Sequence, residues 1–349
     1  MLFLVWSPRA QSPSPLSVDY SFEENKFIDT LTIRGMKTTR TFKLRTTKSS
    51  KNEVLGDWKY ANNRAIFIPV LPLDGEQIYC LDYLDTQGTL RHQTLSPRVE
   101  KSTGQPMVTQ IYPTASKLPE NLLRFYIVFS EPMEEDSFLD HLSFYDEFGN
   151  SLRGVFLPSS FEYWNKERTK ITLILDPGRV KTGLAAHNQY GRAIVAGRKY
   201  LLKIHTSCRS IQGQFLRESY TKEFRVTQEV RLPVDPNQWK VILPEIGTRQ
   251  PLLIDFGRPL DHINAQTFIT VIDPKGNPIE GHISLKANES FWALHPKSHW
   301  ERENFTIWID KTLEDICGNN LYSAFDTKNA AVLATKTKER AYRIHVFLN

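Results

Sequence analysis

The sequence predicts an all-β chain built from tandem two-sheet sandwiches, and three observations predict it. Segments such as 124–129, 170–175 and 306–309 are rich in Ile, Val, Phe, Tyr and Thr and alternate with period two. They are bounded by Gly, Pro, Asn and Asp, the residues that end strands. Long amphipathic helical patterns are scarce, and one stretch of chain recurs at a fixed offset of 127 residues. Repeat units of about 90–125 residues suit a pair of packed sheets and are too short for a barrel of eight long strands.

Composition bounds the rest. At 349 residues, with 40% hydrophobic and 24% charged side chains, the chain is folded and has room for two or three domains. The net charge of +5 is spread out, so it does not point to nucleic acid. No run of about eighteen apolar residues is present, which excludes a helical transmembrane span. Cys80, Cys208 and Cys317 are odd in number and more than a hundred residues apart. That spacing gives no disulfide framework and no zinc knuckle, and they read as three small buried hydrophobes.

Taken in order, residues 1–15 read as a leader or as a signal peptide whose start is missing. Five apolar residues (2–6) precede Ser7, Pro8, Arg9 and Ala10, with no basic residue before them. This predicts export to the periplasm or cell surface. The first unit, 16–102, is divergent. Leu31 with Ile33 and Phe42 with Leu44 alternate as strands should, segments 65–69 and 78–83 follow, and Asp85 to Gly88 forms a late turn. The second unit spans 105–230 and the third 236–328, followed by a tail, 329–349, in which 342–347 is a last strand or a short helix. The joints 98–106 and 232–237 are short and contain proline, which predicts stiff connections.

The repeat places Phe129, Pro132, Met133, Asp146, Gly149, Asn150, Leu152 and Gly154 on Phe256, Pro259, Leu260, Asp273, Gly276, Asn277, Ile279 and Gly281. Six of 26 positions are identical, without a gap. Further on, 171–177 matches 291–296, 200–204 matches 305–309, Gly213 falls on Gly318 and Phe224 near Phe325, the second unit being lengthened around 180–197. Asp-x-x-Gly-Asn occurs at Asp146/Gly149/Asn150, Asp273/Gly276/Asn277 and Asp315/Gly318/Asn319. It reads as a turn: Asp accepts hydrogen bonds from backbone just downstream, and Gly supplies a positive φ. One carboxylate per site is too few for calcium, so no metal is expected.

These residues resemble the SbsA-type bacterial Ig-like domain, over about 220 residues. The third unit carries the pattern best, at Phe256, Pro259, Asp273, Gly276, Asn277, Gly281, Phe305, Asp315, Gly318, Asn319, Leu321 and Phe325. The second departs at its last turn, where Ser210 to Gln214 replaces Asp-x-x-Gly-Asn, and the first matches only from Phe67 onward. The resemblance implies tandem immunoglobulin-like β-sandwich domains in an exported or surface-associated protein, acting as spacers or binding modules, and it carries over no catalytic residue.

Other constellations are weak. Gly178 and Gly183 have the spacing of a phosphate loop, but Leu184 and Ala185 stand where Lys and Ser/Thr are needed. The insertion 178–199 carries Arg179, Lys181, His187, Arg192, Arg198 and Lys199 with no acid. It is either a solvated loop or a cationic site for an anion or an acidic polysaccharide. His295 and His299 flank Pro296 and read as loop histidines, not a zinc helix. Glu134, Glu135 and Asp136 read as a solvated turn. Trp292 and Trp308 fit apolar strands, whereas Trp300 lies in a loop-like stretch and is the candidate for sugar stacking. No nucleophile–base pair is present, so no catalytic residue, enzymatic activity or cofactor is expected. The functional expectation is a structural spacer, adhesion or protein-interaction scaffold. The alternatives are a carbohydrate- or cell-envelope-binding module and an accessory subunit of an exported hydrolase. Partners would be a protein or an envelope polysaccharide, not nucleic acid.

Overall fold

The computed structural model describes residues 16–348 apart from 24–26, 35–40, 47–52, 62, 76, 86, 98–103, 136–137, 160–161, 181–184, 302–303 and 326–340. Segment 1–15, most of the first joint, Asp136 and Lys181 therefore lie outside the described residues.

The first unit contains β1 (Ser17–Glu23), β2 (Phe27–Arg34), β3 (Phe42–Arg45), β4 (Gly56–Ala61), β5 (Arg64–Pro69), β6 (Leu73–Asp74), β7 (Tyr79–Leu84) and β8 (Leu90–Leu95). The second contains β9 (Val108–Tyr112), β10 (Lys117–Pro119), β11 (Arg124–Phe129), β12 (Leu142–Asp146), β13 (Tyr163–Trp164), β14 (Lys170–Ile174), β15 (Lys199–Ile204) and β16 (Tyr220–Thr227). The third contains β17 (Lys240–Ile242), β18 (Leu252–Asp255), β19 (Ile269–Ile272), β20 (Gly281–Lys286), β21 (Phe291–Pro296), β22 (Asn304–Asp310) and β23 (Ala341–Phe347).

The sheets are β1-β2-β5-β4 with β3-β7-β8, β13-β14-β11-β9 with β10-β16-β15-β12, and β17-β18-β21-β20 with β19-β22-β23. Setting aside the short β6 and β10, every unit pairs its first, second, fifth and fourth strands in one sheet and its third, sixth and seventh in the other. That Greek-key order is the immunoglobulin-like sandwich, and the chain is all-β in architecture. Among the described residues helix is confined to short pieces, including α1 (Pro177–Val180), α2 (Ala185–Tyr190) and α3 (His262–Thr267).

Each sandwich closes on inward residues at alternate positions. Tyr200, Leu202 and Ile204 of β15 are buried, as are Phe305, Ile307 and Ile309 of β22. Each such side chain contributes roughly 1.5–3 kcal/mol on removal from water. The repeat holds at the level of contacts. Phe129 and Phe256 are both buried. Met133 bridges to Ser210 as Leu260 bridges to Asp315, and Tyr145–Ser151 matches Ile272–Pro278 across the turn.

Three sequence expectations are corrected. Residues 341–347 are not a tail outside the third unit. They form β23, which pairs with β22 from Asn304↔Phe347 to Asp310↔Ala341 and completes the sheet. The counterpart of Phe224 is consequently Val346, not Phe325: Phe224 pairs with Tyr200, and Val346 with Phe305. The stretch between turn and last strand is longer in the third unit, so a search at the second unit's spacing lands short. Finally, the insertion is not a plain loop. It holds α1 and α2, and Val180, Ala193 and Ile194 are buried in the second core.

Candidate functional site

The most elaborate polar arrangement among the described residues joins the second unit to the third. It is built from ordinary local structure. Asp261 caps α3, its Oδ1 accepting from the amides of Ile263 and Asn264, the usual role of Asp at a helix start. The same carboxylate is 2% exposed and accepts a hydrogen bond from the hydroxyl of Tyr126, on β11 of the preceding unit, whose oxygen lies 3.0 and 2.9 Å from Oδ1 and Oδ2. Arg124, two residues earlier on the same strand face, lies 3.6 Å from Asp261 Oδ2 and pairs with Glu314. A buried carboxylate with this many donors is satisfied, whereas an unpaired one would cost several kcal/mol.

A second cluster lies beside it. Ala287, Asn288 and Glu289, between β20 and β21, all adopt positive φ, a conformation that non-glycine residues take at a cost. This bend carries the Glu289 carboxylate to Thr114, whose amide and hydroxyl donate to it at 3.0 and 2.8 Å. The His262 ring stacks on Tyr112 with centroids 3.4 Å apart. Its Nδ1 makes no hydrogen bond within the protein and lies 3.9 Å from Glu289 Oε1. Burial pushes the His262 pKa down to about 4, with Lys170 adding to the effect against Asp261. Burial also raises the carboxyls of Glu289 and Glu314 and lowers the Lys222 ammonium.

The third element is the turn at Asp315. Its neighbours Ile316 and Cys317 belong to the second unit's hydrophobic core. The Leu123 amide donates to the Ile316 carbonyl at 3.0 Å. Asn121 exchanges two hydrogen bonds with Val230, and Asn319 Nδ2 donates to the Val230 carbonyl at 2.9 Å. The linker is thereby pinned, with Val234 buried in the third core and Arg258 donating to the Leu232 carbonyl.

The three Asp-x-x-Gly-Asn motifs share one geometry. In each, the Asp carboxylate accepts from the amides two and four residues on and from the Asn side chain. Gly149, Gly276 and Gly318 have φ of 80°, 88° and 79°. This is a type I turn closed by a glycine bulge. Asp85 to Gly88 in the first unit makes the same backbone bonds, and so does Ser210 to Gly213, where the Ser hydroxyl stands in for the carboxylate.

The basic insertion and Trp300 do not form one site. Arg179 spends its guanidinium on the carbonyls of Gly154, Gly191 and Arg192. Arg192 pairs with Glu120 at 3.5 Å and with Glu229, so acids from outside the insertion balance it. His187 lies in α2, with its side chain outside the described residues. Trp300 is 4% exposed, packs at a tilt against the Phe305 ring and donates its indole N–H to the Gln250 carbonyl at 2.7 Å, so it is core and not a sugar platform. Trp292 is core as expected, but Trp308 faces out of the sandwich under the Arg343 guanidinium. His295 is a strand residue of β21, bonded to Ser284. Glu135 is buried against Arg168 at 3.0 Å and is no solvated turn. An aromatic cleft of about 510 Å³ with no local sequence signal lies near the pinned linker, lined by Trp239, Phe256, Tyr322 and Tyr342 with Asp235 and Arg258. The thiols of Cys80 and Cys208 are pushed up to about 12 by burial, which leaves them protonated at neutral pH.

No protein-family match to the chain is found, and no curated protein matches it. Among solved structures it is similar to the N-terminal part of the bacterial S-layer protein SbsC, at 12% identity and a TM-score of 0.25, covering 70% of this chain and 44% of that one. It is also similar to the chicken CNTN1 FN1–FN3 domains, at 11% identity and 0.22, covering 97% and 98%. A Bacteroides ovatus glucan-utilization protein, SGBP-B, in complex with a mixed-linkage heptasaccharide, matches at 14% and 0.18, covering 76% and 64%. The immunoglobulin-like fold is carried by the strand order of the three units.

Proposed function

We propose that the chain is a non-enzymatic, exported bacterial protein of SbsA-type Ig-like domains whose work is mechanical: it holds its sandwiches at a fixed mutual orientation as a spacer or scaffold. The observation that supports this is the joint between the second and third units. There Tyr126 and Thr114 donate to the buried carboxylates of Asp261 and Glu289, Arg124 pairs with Glu314, Asn319 donates to the Val230 carbonyl, and Ile316 and Cys317 enter the neighbouring core. Domains meant to swing keep their contacts small and wet. Spin labels placed at the exposed turn positions Glu147 and Lys275 test the reading. A narrow distance distribution in the full chain is expected, and a broad one overturns it.

A second reading, glycan binding, is favoured by the aromatic cleft at Trp239, Tyr322 and Tyr342. Aromatic faces beside polar side chains suit sugar rings. Retention on immobilised envelope polysaccharide that is lost in Tyr322→Ala would support it, and equal retention of both proteins would exclude it.

A further inference from the structure

The three cysteines are not alike. Cys208 and Cys317 lie within the second hydrophobic core, but Cys80, equally buried, is not part of the first. Its neighbours Tyr79 and Leu81 face that core, so the side chain at 80 emerges on the other face of β7. Asp82 follows on the same face two residues later. Register then places His92 of β8 directly across from Asp82, and Arg45 of β3 across from Cys80.

The structure assigns to Cys80, Asp82 and His92 a binding site for a zinc-like divalent transition metal on the outer face of the first sandwich. Among the described residues this is the one trio of His, Cys, Asp or Glu whose ligand atoms all lie within 4.8 Å of one another. Asp82 Oδ1 is 3.5 Å from Cys80 Sγ and 2.6 Å from His92 Nδ1. Metal–ligand bonds of about 2.0–2.3 Å in a tetrahedron separate neighbouring ligand atoms by about 3.3–3.8 Å. The sulfur–oxygen distance already fits. The nitrogen–oxygen contact must open by about 0.7 Å to reach that range, and His92 has room to move because its side chain is 34% exposed. Arg45 Nη2 lies 2.6 Å from Asp82 Oδ2 and 2.8 Å from Oδ1, so metal binding at Oδ1 displaces the longer of these two contacts while the shorter one keeps Oδ1 turned toward the other two ligands. A donor that holds the other oxygen in this way orients a ligating carboxylate.

One sulfur, one imidazole and one carboxylate select zinc or cobalt over magnesium or calcium, which want oxygen alone. Three protein ligands leave a fourth position open to water on the exposed His92 side. On binding, the Cys80 S–H bond breaks, its proton leaves to solvent, and the sulfur's electron pair forms the bond to the metal. Nothing is oxidised or reduced.

Cobalt titration of the full-length reduced protein tests the assignment. A single equivalent of Co²⁺ should produce a thiolate-to-cobalt charge-transfer absorption with the intense visible bands of tetrahedral cobalt, and Zn²⁺ should abolish both. Cys80→Ala and His92→Ala should each eliminate the signal. Absence of the charge-transfer band in the parent protein, or its survival in either variant, overturns the site. A band arising from Cys208 or Cys317 would survive Cys80→Ala and is thereby distinguished. Should Cys80→Ala not fold, the partly exposed His92→Ala decides.

Discussion

The turns at 146–150 and 273–277 and the turn at 315–319 carry one sequence signature and one set of hydrogen bonds, but they sit in different media. Asp146 and Asp273 are at the surface, and nothing lies within 4 Å of a Cβ added at Gly149 or Gly276. Asp315 and Asn319 are 2% and 1% exposed, and a Cβ at Gly318 would come within 2.7 Å of Leu123 Cδ2 in the neighbouring unit. The difference reverses the electrostatics. The Asn150 side chain and backbone hold Asp146 below its ordinary pKa, and the Asn277 amide does the same for Asp273. Burial raises Asp315 despite Arg258 at 3.2 Å. A local motif that makes a hairpin at two sites has become part of a domain joint at the third.

The largest effect should come from Gly318→Val. It combines positive-φ strain with a clash between two units, and is expected to destabilise by about 3–5 kcal/mol. Urea unfolding should show the second and third units losing stability together. If only the third unit responds, the joint is weaker than its contacts imply.

Asp261→Ala leaves the Tyr126 hydroxyl without its acceptor and Arg124 with Glu314 alone, and should cost about 2–4 kcal/mol. Its particular signature is a broadened distance distribution between labels at Glu147 and Lys275. Next come Gly149→Val and Gly276→Val, where only the backbone conformation is penalised. About 1–2 kcal/mol is expected for each, confined to its own unit in calorimetry.

The pH response sharpens the contrast through its sign. The folded-state pKa of Asp273 is lowered, so its stabilisation is present above its unfolded pKa and is lost as pH falls through the folded value. For Asp315 it is raised, so the contribution is full below the unfolded pKa and declines as pH rises through the folded value. Measured from about pH 2 to 6, the cost of Asp273→Asn should grow with pH and that of Asp315→Asn should shrink. His262 adds a separate window. With its folded pKa near 4 against an ordinary 6.5, stability is lost as pH falls across that interval, and His262→Gln should remove the dependence. The smallest effect is expected at Arg179→Ala. Its guanidinium is engaged with three backbone carbonyls, so a modest loss of thermal stability should appear without any change in retention on an anionic matrix.

Much of the fold was legible because its signals are short in range. Alternation located β11, β14, β15 and β22, and the fixed offset between Phe129 and Phe256 announced a shared sandwich. The last strand was legible as one of two alternatives for 342–347, but its place in the third sandwich was not. Nothing local says that Tyr342 and Ile344 belong beside Ile309 and Ile307, since the intervening chain is longer than in the second unit. The site was the least legible part. Tyr126 and Asp261 are 135 residues apart, and Trp300 and the Gln250 carbonyl that receives its indole proton are 50 apart.

The sequence by itself determined the turns. Within five residues Asp supplies the acceptor, Gly the positive φ and Asn the closing donor, so the geometry repeats wherever the motif occurs. The alternating apolar residues likewise determined which face of each strand turns inward. Only the tertiary structure decided that Asp315 is buried while Asp273 is wet, that Arg192 meets Glu120 and Glu229, and that Cys80 and Asp82 lie beside His92. Those outcomes depend on partners brought together from distant strands, and burial sets both the cost of a charge and the value of its neighbour.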